Sequence, residues 1–294
     1  MVMGLRSSFA AATFIAAALG SFLTPVHAAT TKDKILAEKK LTVGIHNGKP
    51  WAYRLPNGSV EGFNVDIVRA VFQPLGVKDI DFVVGDFGSL IPGLISNRFD
   101  IVDSSVVITQ ERCKLVGFSN PELTSIDALL VKKGNPQHIT SYRDVIKNSA
   151  LKIGGSRGSQ QAINVSLAGV PPDQIQLFQN TESTVSALLA GRVDGVTFTS
   201  GTVNALLATP QLAASVERAK PFTGRTDSSG KPVVSFEAAV FRLQDNDLRE
   251  LFNKRLAELK ADGTIAKILV RYGFAPEEKA PDGLTASAIC TSKN

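Results

Sequence analysis

Phe87-Gly-Ser-Leu-Ile-Pro-Gly-Leu-Ile-Ser-Asn-Arg-Phe-Asp-Ile-Val-Asp-Ser-Ser-Val-Val-Ile-Thr-Gln-Glu-Arg112 is the stretch whose reading decides the fold. Leu90, Ile91, Leu94 and Ile95 recur at helical spacing, and Phe99-Asp-Ile-Val102 is a short apolar run typical of a strand covered on both faces. A helix, a tight turn and a buried strand therefore follow one another. Beyond them comes a polar loop carrying Ser104, Ser105, Thr109 and Arg112. Ligands of open α/β sheets sit outside the carboxyl ends of the strands, so hydroxyls and a guanidinium at that point predict a crevice for a small anion such as a carboxylate.

The flanking sequence continues the same alternation. Residues 41–46 read as a strand, residues 47–50 as a turn, and Trp51 and Tyr53 stand at the strand's exit. A second turn at residues 56–58 precedes a helix with Phe63, Ile67, Ala70 and Val71 on one stripe, and residues 80–84 give another strand. Strand and helix alternate as βαβαβ, the pattern of a doubly wound α/β unit. Residues 125–132 then form a long extended run that opens a second, smaller cycle. Its helices fall at 141–147, 158–168 and 181–191 and its strands at 151–154, 174–178 and 195–199. After a polar loop at 224–232, residues 233–242 run back extended. These two crossings, near 125–134 and 233–242, bracket the second unit like hinge strands. Residues 245–263 predict an amphipathic helix, with Leu248, Leu251, Phe252, Leu256 and Leu259 inward, packing back on the first unit.

The chain has 294 residues, 44% of them hydrophobic, ample for a packed core. It opens with one cation, Arg6, an apolar block over residues 9–23 and small residues suited to cleavage after Ala28, the three-part pattern of an export signal. That block is shorter than the ~20 residues a spanning helix needs. Removing residues 1–28 takes away Arg6 and no acid, so the net charge falls only from +5 to +4. Lys and Arg are scattered among acids, without a basic run interleaved with aromatics, which argues against a nucleic-acid partner. Cys113 and Cys290 are an even pair in an exported chain, and a disulfide between them would tie down the C-terminal tail; two unpaired buried thiols are the alternative.

Candidates for chemistry are few. Two histidines, His46 and His138, lie after the export signal, and the absence of a Gly-x-Ser-x-Gly elbow leaves a serine hydrolase little to rest on; both read as ordinary strand-end or surface residues. The glycines of residues 154–160 fit no nucleotide-binding spacing, and no metal-ligand spacing appears. The same segment places Gly158 and Ser159 between a strand and a helix, where free N–H groups attract an anion; Ser159 also suits an ordinary helix cap. Trp51 and Phe87, both at strand exits, can offer aromatic surface to a diffuse cation or an apolar ring.

Leu41-Thr-Val-Gly-Ile45, Gly62-Phe-Asn-Val-Asp-Ile67, Leu90-Ile-Pro-Gly-Leu94, Ile108-Thr-Gln-Glu-Arg112, Ala190-Gly-Arg-Val-Asp194 and Asp262-Gly-Thr-Ile-Ala-Lys267 together give a resemblance over nearly the whole exported chain. The chain resembles the polar-amino-acid type of periplasmic solute-binding protein, the receptor component of ABC importers. Phe-Gly-Ser-Leu-Ile-Pro-Gly-Leu, Glu-Arg-Cys113, Lys-Lys-Gly-Asn-Pro136, Ala-Gly-Val-Pro171 and the cysteine near the C-terminus make it similar, within that family, to the ectoine/hydroxyectoine-binding proteins.

The resemblance implies a two-lobed periplasmic binding protein fold of the α/β class with two hinge strands (type II). Residues 29–131 and 235–294 would form one lobe and residues 132–234 the other. It also implies a monomer in the periplasm with no cofactor, closing on a small zwitterion and delivering it to an inner-membrane ABC permease. The expected ligand-binding set is Trp51, Phe87, Ser105, Val107, Arg112, Ser159 and Thr199, at the positions the resemblance marks, with Ser104 from its place past the strand and Glu237 as an acid that could swing into the cleft in place of the missing aspartate. Arg112 matches the arginine that grips the ligand carboxylate, Ser105 a neighbouring main-chain and hydroxyl contact, and Ser159 a helix-end donor of the second lobe. Four positions depart from the pattern. Thr199 stands where amino-acid binders place an aspartate for the ammonium, and Val107 where they carry a small or hydroxyl residue, or the ectoine binders an aromatic. Gly48 replaces an acid of the ectoine binders, and Asn64 replaces an acid in what reads as a surface change. A dehydratase on the same fold, with Glu237 as its acid or base, and a sensor docking on a membrane kinase are the alternatives.

Overall fold

The computed structural model describes Met1 and residues 28–292, so the expected export signal, residues 1–28, lies outside the described residues except at its two end positions. From α1 (Thr31–Glu38) the chain enters β1 (Lys40–Ile45), a short hairpin of β2 (Tyr53–Arg54) and β3 (Val60–Glu61), and α2 (Phe63–Phe72). Next come β4 (Asp79–Val84), α3 (Leu90–Ile95), β5 (Ile101–Val107), α4 (Gln110–Cys113), β6 (Gly117–Phe118) and β7 (Leu123–Ser125). A second series follows: β8 (Asp127–Lys132), α5 (Tyr142–Lys147), β9 (Ile153–Ser156), α6 (Gln160–Leu167), β10 (Ile175–Phe178) and α7 (Thr181–Leu189). It closes with β11 (Gly195–Thr199), α8 (Ser200–Leu207), α9 (Pro210–Ala213) and β12 (Val216–Arg218). The chain returns as β13 (Ser235–Phe241), α10 (Asn246–Ala261), α11 (Thr264–Arg271) and α12 (Ala286–Thr291).

The first sheet has the order β4-β1-β5-β13-β6, with β7 also paired to β13. In it β1 runs parallel to β4 and β5, and β13 is antiparallel to β5. The second has the order β10-β9-β11-β8-β12, with β9 parallel to its neighbours and β8 antiparallel to both of its own. Every residue of β5 is buried, and its side chains alternate between two apolar clusters: Ile101 joins the layer holding Phe72 and Phe252, while Val102 and Val106 join that of Leu94 and Phe118. Helices covering both faces explain why the strand reads as an uninterrupted apolar run. Two sheet-and-helix lobes joined by two crossings make the α/β, two-lobed type II fold that the resemblance implies.

Several expectations need correction. Ser104 and Ser105 belong to β5, not to a loop beyond it, because the antiparallel pairing with β13 carries the strand through Val107. Residues 127–131, expected in the first lobe, pair as β8 with β11 and β12, so the chain changes sheets at Ile126, between β7 and β8. Ile95 is exposed, since α3 ends there and turns it outward.

Asn64 is not a surface residue. It is 1% exposed, and its Nδ2 donates to Asp103 Oδ1 at 2.7 Å and Glu122 Oε2 at 3.2 Å. Burial first, and then the charge of nearby Glu122, raises Asp103 well above the usual carboxylate range. Burial likewise pushes Glu122 to about 8. A disulfide joins Cys113 of α4 to Cys290 of α12 across 177 residues, as expected. It fastens the C-terminal helix to the rim of the first lobe.

Candidate functional site

A cavity of about 620 Å³ lies between the lobes. Its first wall is built at carboxyl ends of strands: His46 and Asn47 follow β1, Asp86 and Phe87 follow β4, and Ser105 lies near the end of β5. The second wall comes from Ser156 of β9, the start of α6, the start of α7, and the junction of β11 with α8. That is the position at which open α/β sheets hold ligands.

Direct contacts close the cleft around the cavity. Trp51 Nε1 donates to Thr202 Oγ1 at 2.9 Å, Gln179 Nε2 to Asp86 Oδ2 at 2.9 Å, and Arg112 Nη2 to the Gly158 carbonyl at 3.0 Å. Gly158 makes this approach feasible: its φ is +79°, and a Cβ there would lie 2.9 Å from Gly88 Cα of the other lobe.

Of the nine residues expected from the sequence, Trp51, Phe87, Ser105, Ser159 and Thr199 share this cavity. Trp51 is 2% exposed, with Phe274 tilted against it at 5.2 Å and Phe63 edge-on at 6.3 Å, so most of its surface belongs to the core. Phe87 is half-buried and meets His46 edge-on at 5.5 Å. Ser105 has a φ of +57°, an uncommon backbone state for a non-glycine residue, and its hydroxyl donates to Glu237. Ser159 caps α6 by accepting from Ala162 N–H, and Thr199 caps α8 by accepting from Thr202 N–H. Both hydroxyls serve as the helix caps that their position after a strand favours.

The other four lie off the cavity wall. Ser104 is fully buried behind His46. Val107 is buried, and its carbonyl accepts from Arg112 Nη1 at 2.8 Å. Arg112 is half-buried, its guanidinium held by two carbonyls, one from each lobe; burial lowers its pKa to about 10, which leaves it charged. Glu237 is 2% exposed, accepts from Ser105 and from Ser125 Oγ at 2.5 Å, and is pushed up to about 7 by burial. It ties β13 to β5 and β7 and does not enter the cleft.

Sequence reasoning passed over His46, Gln161, Thr202, Asp86 and Glu182, all on the cavity wall. A legible signal existed for His46 and Asp86: His46 ends the predicted strand 41–46 and Asp86 lies two residues past the predicted strand 80–84, near the exits that also mark Trp51 and Phe87. Gln161 and Glu182 sit in the first turns of helices, where polar residues are common whatever their role.

Residues 41–275 match the bacterial extracellular solute-binding proteins, family 3. The chain is 35% identical over 283 residues to the probable amino-acid ABC transporter periplasmic-binding protein y4tE of Sinorhizobium fredii, covering 95% of this chain and 92% of that one. Among solved structures it is similar to EhuB, crystallised with hydroxyectoine, at a TM-score of 0.78 and 30% identity over 89% of this chain and 98% of EhuB. An ancestral amino-acid-binding protein described as a precursor of cyclohexadienyl dehydratase superposes with a TM-score of 0.71 at 28% identity, covering 83% of this chain and 99% of its own. The protein belongs to the bacterial extracellular solute-binding proteins, family 3.

Proposed function

We propose that this protein is a monomeric periplasmic receptor of an ABC importer, which closes by hinge motion on an amino-acid-like zwitterion and presents it to an inner-membrane permease. The observation that carries the reading is the cavity itself, walled by both lobes and bridged by the Trp51–Thr202 and Arg112–Gly158 contacts. A ligand touching both walls binds the closed form better than the open one, and this differential affinity is what drives closure. Arg112 is a half-buried cation beside the cavity with only carbonyls as acceptors among the described residues; a ligand carboxylate would supply its counter-charge once the guanidinium turns from the Gly158 carbonyl into the cavity.

The ligand's positive end finds no carboxylate at Thr199 or Gly48. The acids on the cavity wall, Asp86 and Glu182, are exposed. Such a site favours a cation whose charge is spread over a ring or methyl groups and is cheaper to desolvate, with Phe87 as its aromatic neighbour. Cyclic amidines such as ectoine, and betaines, are therefore the preferred class. Glu237, the residue on which a dehydratase reading would rest, is buried away from the cavity.

A thermal-shift panel of ectoine, glycine betaine and the common amino acids tests the proposal. A ligand present at about 100 times its Kd should add about 2.7 kcal/mol of stability. Stabilisation by a zwitterion supports a receptor. No stabilisation by any member, together with turnover of prephenate, would overturn it.

A further inference from the structure

His46 follows β1 on the cavity wall. Its main-chain N–H donates to Ser104 Oγ at 2.8 Å, and its Nδ1 lies 2.6 Å from the same oxygen. Ser104 is fully buried, and among the described residues its hydroxyl proton has no acceptor other than Nδ1. The hydroxyl therefore accepts from the main chain and donates to the ring, which fixes neutral His46 with its hydrogen on Nε2. Burial lowers the ring's pKa to about 4, so it stays uncharged at neutral pH. Nε2 has no protein partner among the described residues. It lies over Gly48, where a Cβ would come within 2.6 Å of it, so the missing side chain is what leaves room for the ring.

From the second lobe, Gln161 lines the same cavity. It is 6% exposed, and its Nε2 has no hydrogen-bond partner among the described residues. A buried amide N–H without an acceptor is costly to leave unmade; the nitrogen is covered beside the cavity, and turning the amide brings it to an oxygen that enters there.

We propose that His46 and Gln161 are specificity-determining ligand contacts, which donate Nε2 hydrogens from opposite lobes to oxygen on the bound molecule. This rests on the receptor reading and deepens it. Two uncharged donors suit an acceptor oxygen and offer nothing to an ammonium, which has no lone pair to accept from them, so the pair sets which end of a zwitterion enters this part of the cavity. Because the donors belong to different lobes, the oxygen is held by both only when the cleft is closed. Their role is separate from that of Arg112, whose guanidinium is turned to two carbonyls and lies off the cavity wall.

Two measurements test the assignment. Beyond the export signal the chain carries only His46 and His138, so long-range ¹H–¹⁵N spectra of the imidazoles are simple to assign. The expected spectrum shows His46 as the neutral Nε2–H tautomer at about pH 6, with that resonance moving on saturation with the bound compound. A Nδ1–H tautomer, or an imidazolium, overturns the proposal whatever the ligand. Calorimetry then uses ectoine, glycine betaine, L-glutamine, L-histidine and L-arginine as probes. The probe bound most tightly by the wild type should bind about tenfold more weakly to His46→Leu and to Gln161→Leu, and His46→Gln should recover part of the loss. Gly48→Ala keeps both donors but presses a methyl on Nε2, and it should weaken binding too. Unchanged affinity in His46→Leu contradicts the assignment while leaving the receptor reading intact. If the wild type binds no probe, the receptor reading fails and the assignment falls with it.

Discussion

Trp51 of the first lobe donates its indole N–H to Thr202 Oγ1 of the second at 2.9 Å, in a buried contact that spans the cleft. The acceptor also receives the Thr199 hydroxyl at 3.0 Å, so the start of α8 is ordered around it. This bond exists only when the lobes meet. Thr202→Val keeps the shape and removes the acceptor, leaving the indole N–H unpaired in the closed form at a cost of about 1–3 kcal/mol. Small-angle scattering should show a more expanded ligand-free protein, and ligand affinity should fall by roughly tenfold or more. An unchanged radius of gyration and affinity would show that the bond does not contribute to closure.

The buried carboxyls predict how stability responds to pH. Glu122 is raised to about 8 in the folded protein from its ordinary 4.5, chiefly by burial. The folded state therefore holds a proton that the unfolded chain releases, and stability is lost as pH rises from the unfolded pKa through the folded one. Glu237, raised to about 7, and Asp127, raised to about 6, act in the same direction. His46, lowered by burial to about 4 from 6.5, acts the opposite way below about pH 6.5, so the wild-type melting temperature should fall between about pH 6.5 and about pH 8, and Glu122→Gln should reduce that fall. An equal slope in the variant would place the proton elsewhere.

The Cys113–Cys290 bridge closes a loop of 177 residues. A chain-entropy estimate for so long a loop is roughly 4–5 kcal/mol, as an upper figure. The double variant Cys113→Ser/Cys290→Ser should denature at a clearly lower urea concentration than the oxidised wild type. Equal midpoints would mean that the apolar packing of α12 holds the tail without the bond.

The α/β class, the alternation of elements and the packing of α10 were legible because each rests on local periodicity. Leu248, Phe252, Leu256 and Leu259 are buried at the helical spacing the sequence shows. Five of the nine candidate residues share the cavity because their neighbourhoods mark strand exits and helix starts. What escaped depends on pairing between distant segments. Nothing local to Ser104 and Ser105 announces that β13, some 130 residues later, prolongs β5 through them. Asn64 lies among helix-forming residues and looks solvent-compatible, yet Asp103 and Glu122 converge on it from elsewhere. His46 looked ordinary because its meaning depends on Ser104, 58 residues away.

The most direct test of carboxylate capture between the lobes is calorimetry of the best-binding zwitterion against wild type, Arg112→Ala and Arg112→Lys. Arg112→Ala should lose roughly 2–5 kcal/mol of binding free energy, since a desolvated charge pair is broken and the carboxylate is left unpaired. Arg112→Lys should recover little, because a point charge cannot reproduce the planar fork that reaches two acceptors at once. An alanine variant with wild-type affinity, or a lysine variant that restores it, would contradict the role given to Arg112.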